Sequence, residues 1–418
     1  MVFAMARMRP TSGDGVRRRP KDRKAQIARA SAEAFSALGY YGVSMETIAS
    51  RVGISATALY RHYSSKYELF RDAVLSLGQQ LVECTAAVGG ATTEEDPEQT
   101  LRRLVAALVD TAMGHREAGG LYRWEGRYLR GDDQATLIAQ MRTVHQRIQL
   151  PLSMLRPELT SRQRWVLSTA TLSVIGSIVD HGAKLPAIQV RALLAELADA
   201  MLAADVADIS DDVADPREDR GVIGETSKYE ALLNESMQLF NLKGYRDTSM
   251  EDIATAVGMP ASGIYRYFSG KADILAAAFR RAADRLSAEL SAIKTTVPDR
   301  EEALAAVIDA YVTRSFEQPE LDYVYYTERL NMTPGDQKIL RNLQRATVES
   351  WVELVVSLRP EWTPGQARFA VHSAMSLVID VGRLMRYRNS AQTREAVGRL
   401  LDLTLLGRYR LRATLPAK

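Results

Sequence analysis

The sequence reads as an all-α protein made of two tandem copies of one helical unit. Three observations lead there. Apolar residues recur at helical spacing along the chain, and no alternating apolar and polar run is bounded by hairpin turns. A segment, Phe35–Lys66, returns as Phe240–Lys271 with 15 identities in 32 positions and no gap, 205 residues further on. The chain has 418 residues, longer than one core usually grows.

The opening "MVFAMARMRPTSGDGVRRR" has no apolar run long enough for a signal-peptide core, and nowhere do some 18 apolar residues run together to cross a membrane. Residues 1–20 read as a basic arm ending in Arg17, Arg18 and Arg19. A first helix follows, with Ile27, Ala30, Ala34, Phe35 and Leu38 on its inward face and Gly39 as its stop. Ser44 is placed to cap "METIASRV", in which Ile48, Ala49 and Val52 face inward and Gly53 allows the left-handed turn. Ser55 caps a third, short helix, Ala56–His62. There Leu59 faces inward while Thr57, Tyr60, Arg61 and His62 project outward, the pattern of a helix-turn-helix with a polar reading face.

The second copy repeats each element: Leu232, Leu233, Leu239 and Phe240 before Gly244, Ser249 with Asp252 three residues on, and Gly258 at the turn. Pro260 stands where the first copy has Ser55, and proline cannot cap with a side chain. Downstream the likeness weakens but continues. "LYRWEGRYLRGDDQ" matches "VYYTERLNMTPGDQ" and "LRPELT" matches "LRPEWT", now 203 residues apart, so the whole half is duplicated. Gln163–Asp180 with Gln189–Ala203, and Pro364–Asp380 with Thr393–Leu411, are apolar-striped helices suited to a four-helix bundle. The expected units are 21–204, with its helix-turn-helix over about 21–66, and 227–418, with its own over about 227–271. The acidic stretch 205–226 joins them.

Composition narrows the function. Hydrophobic residues make up 46% of the chain, enough for two cores, and the lone Cys84 excludes an intramolecular disulfide, which suits a cytoplasmic location. His115, His145, His181 and His372 are scattered without metal-ligand spacing, so no metal is expected, and no nucleophile elbow, dinucleotide fingerprint, phosphate loop or zinc-protease motif suggests an enzyme or a cofactor. The window from Val16 to Arg71 holds eleven Lys and Arg against four Asp and Glu, a net +7. The matching window from Gly221 to Ala276 holds five against seven, a net −2. The copies are alike in pattern and opposite in charge.

The segments "SMETIASRVGISATALYRHYSSK" and "SMEDIATAVGMPASGIYRYFSGK" resemble the DNA-binding region of the TetR family of bacterial regulators. The first departs from the family's frequent glycine at Thr57. The resemblance implies a sequence-specific regulator, a repressor of operator DNA released by a small apolar, lipid-like effector; a non-specific architectural DNA-binding protein is the alternative. It implies that Ser44, Tyr60 and Lys66 contact phosphates while Thr57, Ala58 and His62 approach base edges. In the second copy Ser249, Tyr265 and Lys271 take the phosphate positions, and Ser262, Gly263 and Tyr267 the base positions. The arm would add contacts to the minor groove or phosphates. Trp124, Tyr128, Trp165, Tyr323, Tyr326, Trp351, Phe369 and Met375 are candidates to line the effector pocket, with helix-bundle core as their other reading. The striped helices match the family's dimerisation helices, so an intramolecular pseudo-dimer is expected, with a homodimer as the alternative.

Overall fold

The computed structural model describes residues 20–89, 96–207 and 228–410. Arg17, Arg18 and Arg19 lie outside these residues, as does nearly all of the 205–226 stretch. No strand occurs among the described residues, and none of their helices is long and apolar enough to cross a membrane.

The first half opens with α1 (Pro20–Gly42), which breaks at Gly39 where φ is +70°. Leu38 departs from expectation and is 40% exposed, because Tyr40 folds back onto Phe35 and takes the inward place. In α2 (Met45–Val52) the Ser44 hydroxyl accepts the Thr47 N–H at 3.2 Å, and Gly53, at φ +69°, closes the helix. Ser55 likewise caps α3 (Ala56–Tyr60), accepting the Ala58 N–H at 3.1 Å. This helix stops two residues short of the expected end. Arg61 and His62 continue it as a turn bonded back to Ala58 and Leu59. Then come α4 (Lys66–Gly89), α5 (Pro97–Gly114), α6 (Gly131–Leu155), α7 (Ser161–Gly176) and α8 (Ala187–Leu202). Between α5 and α6 the chain forms a π-helical turn over Leu121–Glu125.

The second half repeats the order with α9 (Lys228–Lys243), α10 (Met250–Ala256), α11 (Ala261–Ile264), α12 (Lys271–Thr296) and α13 (Arg300–Glu317). A regular helix, α14 (Pro319–Glu328), replaces the π-helical turn, followed by α15 (Pro334–Leu358), α16 (Pro364–Leu384) and α17 (Ala391–Leu406). Ser249 and Asp252 form a reciprocal capping box on α10, whereas Pro260 gives α11 no side-chain cap. Duplication extends to the caps of the long helices: Thr160 with Gln163 opens α7, and Thr363 with Gln366 opens α16.

Three buried clusters organise the molecule. One lies within each helix-turn-helix unit, around Phe35, Ile48 and Leu59 in the first and Phe240, Ile253 and Ile264 in the second. The third is continuous across both halves, joining Ile175 and Leu197 to Leu377 and Leu401. It exists because α7 lies against α16 and α8 against α17. Small residues let α7 and α16 approach closely, and the Ser177 and Ser373 hydroxyls share a buried hydrogen bond of 2.9 Å between the halves.

Candidate functional site

Each helix-turn-helix unit turns its reading side chains outward. Leu59 is fully buried beneath α3, leaving Thr57, Tyr60, Arg61 and His62 exposed, Ala58 half-buried and Ser44 exposed at the head of α2. Ile264 plays the same part under α11, where Ser262, Tyr265 and Tyr267 are exposed, Gly263 is half-buried, and Ser249 is exposed at the head of α10. Tyr60 and Tyr265 keep half their surface in solvent, so ring and hydroxyl are both available to a partner.

The two lysines sit further in. Lys66 donates to the Tyr40 and Val43 carbonyls at 3.1 and 3.2 Å, with its amine 4.5 Å from the Tyr40 ring centre. Lys271 donates to the carbonyls of Tyr245, Thr248 and Arg246 at 2.6, 2.6 and 3.3 Å. Each ties the start of a long helix to the loop between the first two helices. Burial pushes both amines below the usual lysine range, and Lys271 commits all three N–H groups to the backbone.

The cations of the first unit differ in their partners. Arg23 donates to the Val52 carbonyl, Arg29 pairs with Glu33, and Arg71 with Asp72. Lys24, Arg51 and Arg61 have no carboxylate within ion-pair distance among the described residues. In the second unit Lys243 pairs with Asp252, and Arg246 lies 4.0 Å from the Tyr41 ring of the first unit. Arg266, exposed beside α11, has no carboxylate within ion-pair distance among the described residues. In the second unit the Ser249 N–H and hydroxyl and the Lys243 amine take the Asp252 carboxyl down to about 2.

A pair of duplicated glutamates joins these units to the body. Glu125 accepts the Tyr40 N–H at 2.9 Å, and Glu328, 203 residues on, accepts the Tyr245 N–H at 3.1 Å. Burial pushes the Glu125 carboxyl up. Arg127, itself half-buried, crosses from the first half to the fully buried Glu328 carboxylate at 2.6 Å. Arg123 crosses as well, reaching Asp380 at 2.6 Å while lying 3.5 Å from Asp180. The Trp124 indole donates to Asp180 at 2.6 Å and its ring stacks on Tyr326, centres 4.5 Å apart. Sequence reasoning missed this network. Its signal was present in "LYRWEGRY", where charges interrupt an aromatic run too regularly for a simple core segment.

A cavity of about 610 Å³ lies in the first half among α4 to α7, with Trp165 in its wall. Tyr326 and Met375 line a smaller one of about 140 Å³ in the second half, and Tyr128 and Tyr323 line a gap of about 250 Å³ between the helix-turn-helix units. The other aromatic candidates are packing groups. Trp124 stacks as above, Trp351 is fully buried edge-on to Tyr311, and Phe369 is fully buried edge-on to His181. The histidines are less scattered than expected, because His181, in the segment after α7, stacks on His372 of α16 with centres 4.2 Å apart. Burial takes His372 down to about 4 and His181 well below its ordinary value.

Two outward reading helices on one all-helical chain define a helix-turn-helix DNA-binding class. The chain matches the bacterial regulatory proteins of the tetR family over residues 27–73 and again over 232–278. It is 36% identical over 104 residues to the HTH-type transcriptional activator FasR of Mycolicibacterium smegmatis, covering 24% of this chain and 47% of that protein, so it spans about half the length of this relative. It is 28% identical over 146 residues to the HTH-type transcriptional repressor LfrR of the same organism, covering 33% of this chain and 70% of that one. The ketosteroid transcriptional regulator KstR2 of Mycobacterium tuberculosis aligns with 46% of this chain and 98% of its own, at 17% identity and a TM-score of 0.39. The family's N-terminal domain is thus matched once in each half, 205 residues apart.

Proposed function

We propose that the protein is a sequence-specific transcriptional regulator, a repressor that leaves its operator when a small apolar molecule occupies the first-half cavity. One observation carries this reading: two exposed recognition helices, α3 and α11, are mounted on halves that share one buried core. A body of that kind sets the separation of the helices, and major-groove reading needs half-sites about one turn, roughly 34–36 Å, or a multiple apart. The cavity lies against α4, which begins at Lys66 beside the first reading helix, so an occupant that moves α4 changes that separation.

In this reading Tyr60, Ser44 and the arm residues Arg17, Arg18 and Arg19 grip phosphates, and Thr57, Ala58 and His62 read bases. Tyr265, Ser249, Ser262, Gly263 and Tyr267 do the same in the second unit. Lys66 and Lys271 chiefly fix the loops from which those contacts are made. The units 21–204 and 227–418 act as an intramolecular pseudo-dimer, and one chain fills one operator.

The test is a gel shift with the intergenic DNA upstream of the protein's own coding sequence, in excess random competitor. Specific regulation requires the complex to persist and a footprint to cover two half-sites at one chain per site. Displacement by competitor as readily as by the same fragment would leave only architectural binding. Two chains per minimal site would refute the single-chain arrangement.

A further inference from the structure

Duplication places the same cavity in both halves, and the two copies have diverged. Leu81, Tyr122 and Met141 line the first; Leu286, Tyr325 and Gln344 line the second at matching repeat positions. The volumes are about 610 and 140 Å³. Ligand pockets run to roughly 300–1,000 Å³, so the first has the size of one and the second does not. The difference is traceable to single residues at the 203-residue spacing. Tyr311 replaces Leu108, Asp322 replaces Gly119, and Trp351 replaces Ile148. Tyr311 and Trp351 pack edge-on at 5.5 Å, and Asp322 accepts a hydrogen bond from Ser315 at 2.7 Å, so the second interior is filled by its own side chains.

The first cavity is apolar within and charged at one end. Leu77, Leu81, Leu108, Val144 and Leu172 make its wall, while α16 of the second half contributes Asp380, Arg383 and Leu384. These charges are not equivalent. Asp380 is held by Arg123 at 2.6 Å, and Arg123 is also near Asp180. Arg383 has no carboxylate within ion-pair distance among the described residues; its guanidinium is exposed and lies 4.8 Å from the Tyr323 ring. The Nε of Arg123 and the hydroxyl of Ser173, both on lining residues, are buried without hydrogen-bond partners. His145, also in the wall, is taken down to about 4 by burial and adds no charge at neutral pH. An apolar chamber ending in one unpaired cation and unfilled donors is complementary to an apolar chain that carries an acid.

We propose that each chain binds one amphipathic carboxylate, its apolar body in the first-half cavity and its head at Arg383 on the boundary between the halves, while the second half binds none. This deepens the ligand-responsive reading of the same cavity. Because the body is held by one half and the head by the other, occupancy reports directly on how the halves are set.

Calorimetric titration of the full-length protein without DNA, using decanoate, decanol and decylamine, tests it. Decanoate should bind at one per chain and more tightly than the other two. Arg383→Gln should weaken decanoate about tenfold, the scale of one charge-assisted contact, and leave decanol unchanged. Leu108→Tyr, which copies the second half, should abolish binding, and Arg383→Gln, at an exposed position, covers the case in which that variant does not fold. Two decanoates per chain, no decanoate binding, decanol or decylamine binding as tightly as decanoate, or an unchanged decanoate affinity in Arg383→Gln would each overturn the proposal. Operator binding by the ligand-free protein is scored separately by gel shift, so its loss would count against the regulator reading and not against this site.

Discussion

Replacing Arg127 by methionine tests how firmly the first half holds the second DNA-binding unit. The Arg127 guanidinium donates to Glu328 at 2.6 Å, and the Glu328 side chain is 1% exposed. The same carboxylate takes the Tyr245 N–H at 3.1 Å and the Asn331 amide at 2.7 Å. Methionine retains much of the arginine stem and removes the cation, which leaves a buried carboxylate without its counter-charge. Breaking one side of such a pair costs about 3–5 kcal/mol. Glu328→Gln keeps an acceptor for Tyr245 but strands the guanidinium, at a similar cost. Removing both charges together should recover most of the loss, because a neutral pair of similar volume often matches a buried ion pair in stability. Urea unfolding of the wild type, both single variants and the double variant gives the coupling energy directly. A cost below about 1 kcal/mol for Arg127→Met, or strict additivity in the double variant, would refute the claim that this contact anchors the unit.

Three further outcomes follow from the geometry. His62→Ala should weaken operator binding by about 1–3 kcal/mol and leave random DNA unaffected in gel shifts; equal losses on both would remove His62 from the base-reading set. Ser55→Ala removes the α3 cap seen at 3.1 Å and should lower stability by about 1 kcal/mol in thermal unfolding, whereas no change would mean that the cap carries no stability. The third concerns acid. His372 sits at about 4 in the folded protein against an ordinary value of 6.5, so its contribution is complete above 6.5 and is lost as pH falls toward 4. At about pH 5.5 that loss is about 1.4 kcal/mol. His372→Phe keeps a ring against His181 and should reduce the stability change between about pH 7.5 and about pH 5.5 by that amount; an unchanged pH dependence in urea unfolding would refute it.

The helix-turn-helix units were legible because their signals are local. Caps at Ser44, Ser55 and Ser249 and positive-φ glycines at Gly39, Gly53 and Gly258 act within a few residues, so spacing alone places them. Even there, Leu38 and the end of α3 depended on Tyr40 and on the turn after Tyr60, which helical periodicity does not encode. The cavity was harder to read. An aromatic side chain is equally at home in a core or a pocket wall, and tertiary contacts decide between them: Trp165 borders the first-half cavity, while Trp351 is fully buried against Tyr311. The crossing pairs Arg123–Asp380 and Arg127–Glu328 join residues 257 and 201 positions apart, beyond any local pattern. Charge counts were informative about the two units but silent about direction, since Lys66 and Lys271 turn inward and Arg246 rests on Tyr41.

The core shared by α7, α8, α16 and α17 has a consequence for supply. Two separate subunits meet at a rate and to an extent set by how many are present, and dilution parts them. Here the two halves arrive together from one ribosome and their pairing is a first-order event. In the proposed single-chain arrangement, a cell holding a handful of copies has the same fraction of correctly paired reading helices as one holding thousands, and the protein can be kept scarce without losing its grip.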